Sequence, residues 1–322
     1  MTATSTTIAS PVAAAATARP RDFRLAALAR FATAITLVNI LGHFYLGFEQ
    51  SWAQPLVGLA TAYTVEFVLE LLSAWGERRP LRFVGGWNNF LSFILPAHIT
   101  GLAVPMLLYS HEALWPIAMG AAIGIGSKYL FRVQIGNASR HVLNPSNTGI
   151  AATLLIFPWV GIAPPYHFTE HVAGLWDWVI PGIIILSGSY LNWGFTRKVP
   201  LILGWLVAFA LQAVVRSVLT GAPVTATLLP MTGVAFILFT FYMISDPGTV
   251  PTDPRLQVLF GASVAVVYSL LVTAHVVFGI FFSLLIVCSV RGLWIYGRSW
   301  FVRRIAVTTD APQPAVARGA SS

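Results

Sequence analysis

Residues 89–109 read NFLSFILPAHITGLAVPMLLY, twenty-one consecutive positions without an Asp, Glu, Lys or Arg. At 1.5 Å per residue, a helix over this stretch is about 31 Å long, the thickness of a bilayer's hydrocarbon core. Its backbone N–H and C=O groups would find no water there, so a helix, which pairs them internally, is the structure the stretch predicts. Pro96 and Pro105 do not argue against it, because neighbouring helices and hydroxyl side chains re-satisfy the groups a proline frees.

Nine further stretches are predominantly apolar over a similar length, giving ten predicted spans at 25–47, 55–75, 89–109, 114–131, 145–161, 175–193, 199–219, 227–244, 257–273 and 276–295. The expected fold is an all-α integral membrane protein with residues 25–296 as one membrane domain. Residues 1–24 and 297–322 are expected to be cytoplasmic tails, since the first eighteen residues carry neither a charge nor the basic and apolar regions of a signal peptide.

Of the 322 residues, 57% are hydrophobic and 9% charged, where a soluble domain carries roughly a quarter charged. The net charge of +8 does not indicate nucleic acid, because Lys and Arg sit in short gaps between apolar runs and form no basic stripe. The lone cysteine, Cys288, lies inside an apolar run, which excludes a disulfide framework and a cysteine metal site.

With the N-terminus inside, ten spans put every Lys and Arg except Arg216 on the inner side, as the excess of positive charge in cytoplasmic loops requires. A miscounted span would invert every later loop and scramble that pattern. Both termini are thus expected in the cytoplasm, the protein sitting multi-pass in the cell membrane with the lipid bilayer as its first partner.

The segment Leu95-Pro96-Ala97-His98-Ile99-Thr100-Gly101-Leu102-Ala103 in the third span resembles Leu229-Pro230-Met231-Thr232-Gly233-Val234-Ala235 in the eighth. Third of five matches third of five, which suggests an inverted repeat of five plus five helices with a site where the halves meet. Pro and Thr-Gly are also common where membrane helices pack closely.

Glu66 and Glu70 lie four apart, on one face of the second span, with Glu66 near its middle. A carboxylate at that depth costs at least about 3 kcal/mol and is by default a functional candidate. It would carry a proton or ion, or tie helices together by hydrogen bonds while Glu70 reaches for the cytoplasmic end.

Between the fourth and fifth spans, Lys128 and Arg132 precede Ser139-Arg140-His141-Val142-Leu143-Asn144-Pro145-Ser146-Asn147-Thr148. These amides, hydroxyls and cations suit an anionic or polyhydroxylated ligand. Pro145 would open the fifth helix with free N–H groups towards the cytoplasm, an arrangement a simple N-cap explains equally well. The loop after the eighth span, Ser245-Asp246-Pro247-Gly248-Thr249-Val250-Pro251-Thr252-Asp253-Pro254-Arg255, lies on the same side with the same proline-interrupted polar character.

Two other patterns carry less. His167-Phe168-Thr169-Glu170-His171 spells a zinc-peptidase motif, but it sits in a short external loop beside Pro164-Pro165 instead of on a helix. No metal site is expected there, and solvent should replace whatever the histidines contact. The small residues from Gly120 to Lys128 lack the order of a phosphate loop and read as helix packing. Many of the eleven Trp fall near helix ends, as interfacial anchors do.

Over residues 56–296 the sequence resembles the RnfD and NqrB family, membrane subunits of ion-pumping, flavin-containing electron-transfer complexes. The residues that carry the resemblance are Glu66, Asn89, Thr100-Gly101, Lys128, Asn144-Pro145 with Asn147, Ser245-Asp246-Pro247 with Thr249, and Arg255 ahead of Phe260-Gly261. It implies a cofactor site drawing on Thr100, Gly101, Lys128, Asn144, Pro145, Asn147, Thr148, Asp246 and Thr249, with Glu66 and Glu70 on a proton or ion path.

Family members attach FMN through its phosphate to a threonine in an S/T-x-A-T segment between the fifth and sixth helices. Here that loop spans only 162–174 and lacks the segment, so any flavin, FMN or riboflavin, is expected to be non-covalent. Ser139 to Asn147 with the shortened loop is most similar to the UnbU-type branch, associated with enediyne natural-product gene clusters.

The leading expectation is therefore a membrane redox component holding flavin or quinone at its cytoplasmic loops and working with other membrane or redox subunits. A transporter, or a cofactor-free scaffold for partner enzymes, would use the same ten-helix frame.

Overall fold

The structure, a computed structural model, describes residues 23–135, 138–164 and 167–309. The expected tails over 1–22 and 310–322, with Gly136, Asn137, Pro165 and Tyr166, lie outside the described residues.

Helix occupies each of the ten apolar stretches. α1 (Phe23–Leu41), α2 (Ala53–Glu77), α3 (Trp87–Leu107), α4 (Trp115–Leu130) and α5 (Pro145–Ile156) form the first half. α6 (Trp176–Leu191), α7 (Val199–Thr220), the pair α8 (Val224–Leu228) and α9 (Val234–Leu238), α10 (Pro254–Thr273) and α11 (Gly279–Thr309) form the second. Seven of these, with the π-helical turns Gly42–Leu46 and Asn192–Thr196 extending α1 and α6, are long and apolar enough to cross a membrane, or eight if the α8–α9 pair is one span. The chain is thus a multi-pass α-helical membrane protein.

Three stretches differ from straight twenty-residue helices. α4 has 16 residues and α5 has 12, about 24 and 18 Å of rise. The eighth stretch is bent by 66° where Pro230 opens a 3-10 turn and Gly233 takes an extended backbone (φ −76°, ψ 141°). Its sequence counterpart in α3 continues as one helix through Pro96, so the two similar segments do not share a backbone conformation. α11 continues without a break past residue 297, the expected start of the tail.

Burial is inverted relative to a soluble protein. Leu186, Val207, Leu211, Val218, Leu259 and Leu270 are exposed, while Gln54, Glu66, Glu70, Asn147, Thr153 and Gln257 are buried. Apolar side chains facing outward all round suit hydrocarbon as the solvent.

Small residues let the helices approach. A Cβ on Gly101 would lie 3.0 Å from Ala62 of α2, one on Gly124 would meet the Pro145 carbonyl, and one on Gly204 would meet Val258 of α10. α3 packs on α1, α2 and α5, α4 on α2 and α5, α10 on α7 and α11, and α6 on α9. Across the halves, α5 packs on α11, and α1 meets the turn that extends α6.

Two short antiparallel pairs close the ends of the α4–α5 unit. β1 (Leu108–Tyr109) pairs with β4 (Gly161–Ile162), bringing the ends of α3 and α5 to one side. β2 (Arg132–Ile135) pairs with β3 (Ala138–His141) and joins α4 to α5 at the other.

Candidate functional site

The buried face of α2 is a stripe of every fourth residue: Gln54, Gly58, Ala62, Glu66, Glu70 and Ala74. Both carboxylates therefore point into the bundle, and both meet cations there. Glu66, 1% exposed, receives Lys128 Nζ at 2.5 Å and the Tyr129 hydroxyl at 2.9 Å, both from the last turn of α4. Glu70 receives Arg79 Nη1 at 2.5 Å and Nη2 at 3.0 Å, with the backbone N–H of Arg82 at 2.9 Å. Arg78, in the left-handed region at φ 50°, ends α2 and turns the chain so that Arg79 folds back over it. The hydrogen bonds to Glu70 hold the Arg79 guanidinium charged well above its ordinary range.

The two proline-interrupted loops do face each other. Asn144 caps α5 by accepting Asn147 N–H at 2.9 Å, with Pro145 in the first turn, as its sequence predicts. Its amide nitrogen then donates 3.0 Å to the Met243 carbonyl, at the end of the eighth stretch. Asn147 reaches the Phe281 carbonyl of α11 at 3.0 Å, and Thr148 bonds back to the Asn144 carbonyl at 2.7 Å. His141 Nε2 lies 3.3 Å from Asp246 Oδ2, tying β3 to the far loop.

Asp246 organises its own loop through Gly248 N–H at 3.1 Å and the Thr249 hydroxyl at 3.1 Å. Burial pushes its carboxyl up, but His141 and these donors outweigh it and hold it below the usual value. Lys198, at the head of α7, donates 2.7 Å to Pro251 O, and Arg291 of α11 donates 2.7 Å to Thr249 O. Burial lowers Lys198 to about 8, with Asp246 opposing the shift.

Beside this junction, between α1, α3, α6 and the eighth stretch, lies a cavity of about 300 Å³. Phe31, Met106, Ile184 and Leu238 are among its apolar walls, and Ser146 and Met243 make it continuous with the loops. Ser187 and Tyr242, which also line it, hold their hydroxyls 2.7 Å apart.

Of the residues expected at the cofactor site, Asn144, Pro145, Asn147, Thr148, Asp246 and Thr249 thus come together. Three stand elsewhere. Lys128 pairs with Glu66, Thr100 bonds to Pro96 O at 3.0 Å within its own helix, and Gly101 admits α2. Sequence reading did not single out His141, Lys198, Arg291 or Tyr129. Arg291 carried the same signal as Glu66, an ionisable residue inside an apolar span.

One expectation is overturned. His167 is not open to solvent: it is 0% exposed and stacks on Phe48 with ring centroids 3.7 Å apart. Burial, with neighbouring His43, lowers it to about 4.

Compared with known proteins, the sequence matches no family model and no curated protein.

Proposed function

We propose that this chain is an RnfD/NqrB-like membrane redox component that spans the cell membrane ten times and holds flavin or quinone without a covalent bond. The observation that carries this reading is the convergence of two proline-interrupted loops, Asn144 on Met243 O and His141 on Asp246, beside an apolar cavity between the halves. A flat ring would lie among Phe31, Met106 and Leu238, with its polar edge towards Ser187, Tyr242 and the loops. A flavin bound there would supply reversible one- and two-electron transfer. Placement in the enediyne-associated branch rests on residues 139–147 and the short 162–174 loop.

The packing supports five plus five helices. Pairs one with three, two with four and four with five recur as six with eight, seven with nine and nine with ten. Among the contacts across the halves are one with six and five with ten, the pairs a two-fold axis would bring onto each other. On this reading α4 and α5 are short spans, and both termini are cytoplasmic. The inner loops would then sit within the depth of the bilayer, where irregular backbone survives because protein encloses it.

An absorption spectrum of the detergent-purified protein, before and after acid precipitation, tests the assignment. Flavin in the acid supernatant, or extractable quinone, is the expected result. Colourless protein with neither would sink it and leave the transport reading, favoured by a cavity that both halves line.

A further inference from the structure

A second cavity, of about 340 Å³, lies among α1, α2 and α3 and shares Leu37 with the first. Its polar lining includes Thr36, Tyr63 and His98, set among Leu37, Leu91 and Ile94. Each of the three polar residues falls near the middle of its helix, and Leu37 at the edge is 53% exposed, so the cavity opens sideways towards the bilayer. An imidazole at such depth is a functional candidate by default.

The hydrogen bonds assign every proton in this group. The Thr36 hydroxyl donates to Ala32 O at 2.7 Å. Thr36 Oγ1 must then accept from His98 Nε2–H, which lies 2.7 Å away. That leaves Nδ1 of the neutral ring as an acceptor, and the Tyr63 hydroxyl donates to it at 2.5 Å.

The phenol, imidazole and hydroxyl therefore spend all their hydrogens on protein acceptors, and lone pairs on Tyr63 Oη and Thr36 Oγ1 remain. Thr33, also in the lining, carries a hydroxyl that serves as donor or acceptor alike. Lone pairs facing hydrocarbon have no water to satisfy them. Their complement is an O–H donor on an apolar body.

We propose that this groove binds a lipophilic phenol or alcohol from the bilayer, its hydroxyl donating to Tyr63. A ligand of the same shape that only accepts hydrogen bonds is discriminated against. The proposal does not depend on the redox reading.

The full chain in lipid nanodiscs would be titrated with 4-hexylphenol and with its methyl ether, 4-hexylanisole, against protein-free nanodiscs. The expected result is about tenfold tighter binding of the phenol, the worth of one hydrogen bond. Tyr63→Phe alone would leave His98 Nδ1 to accept the ligand's hydroxyl, so Tyr63→Phe with His98→Leu is the variant that should bring the two affinities together without weakening the ether. Thr36→Val removes the acceptor that pins His98, so Nδ1–H can donate to Tyr63 and turn the phenolic hydrogen towards the cavity. Its preference should move towards the ether. If that double variant does not give a monodisperse protein, Thr36→Val decides alone. Equal affinities in the wild type, or a preference unchanged in the variants, would overturn the proposal.

Discussion

Lys128 Nζ stands 2.5 Å from Glu66 Oε2, joining α4 to α2 through a pair of charges shielded by Tyr129. Inside a bundle in lipid, an ion pair is weak support for stability until one partner is removed, when the other becomes an uncompensated buried charge. Glu66→Gln should therefore destabilise the detergent-solubilised protein by about 3–5 kcal/mol, while Glu66→Gln with Lys128→Met regains most of that loss. Thermal unfolding of the three variants provides the comparison. A double variant no more stable than the single would show that the pair itself is not the cause. Should Glu66 also move a proton in turnover, the stable double variant would still be inactive.

Asn144 serves two masters at once, the N-terminus of α5 through its oxygen and Met243 O through its nitrogen. Asn144→Ser keeps a capping oxygen but is too short to donate to Met243 O, whereas Asn144→Ala loses both. Loss of a cap costs about 1 kcal/mol, and an orphaned buried partner about 1–3 kcal/mol more. The alanine variant should be the less stable of the two, and if the proposed flavin or quinone is bound, both should retain less of it at matched folded yield. Wild-type cofactor content in both would separate this junction from the binding site.

The sequence reading located all ten helical stretches because apolar length is a local property, written into each run of side chains. It also expected the two loops on one side, from their positive charge and interrupting prolines, and Asn144 does meet Met243 O. What it could not carry was partnership. Lys128 reads as a ligand group in a linear string, and only the crossing of α2 and α4 turns it onto Glu66. The bend at Gly233 was hidden for a related reason: Leu-Pro-x-Thr-Gly-like residues sit in an unbroken helix in α3 and in a broken one in the eighth stretch. Surrounding packing, and not the segment, decides which.

Single cysteines tested with a membrane-impermeant thiol reagent should place Arg140 and Thr252 inside and Thr169 outside. The native Cys288 is buried and gives a low background. α4 and α5, at 16 and 12 residues, are where the span count is exposed to test. If they dip in and out from the external face, residue 140 labels from outside while every later loop keeps its side. If they cross, residue 140 labels only in inverted or opened vesicles, which is the expected outcome.

His167 offers a readout in pH. No described residue pairs with either ring nitrogen, and the ring is sealed against Phe48. Its folded value, about 4, lies below the ordinary 6.5 because burial penalises the charged ring. Below pH 6.5 the unfolded chain therefore takes up a proton that the folded chain refuses until about pH 4, and stability falls as pH falls through that window. At 1.36 kcal/mol per unit, the whole effect is about 3 kcal/mol. His167→Phe keeps the stacking and removes both the titration and the unpaired nitrogens. The variant should match or exceed the wild type at pH 7, and its advantage should widen steadily down to pH 4, as read by unfolding midpoints in mild detergent. Parallel curves for the two proteins would show that the ring is open to water after all, as the sequence alone suggests.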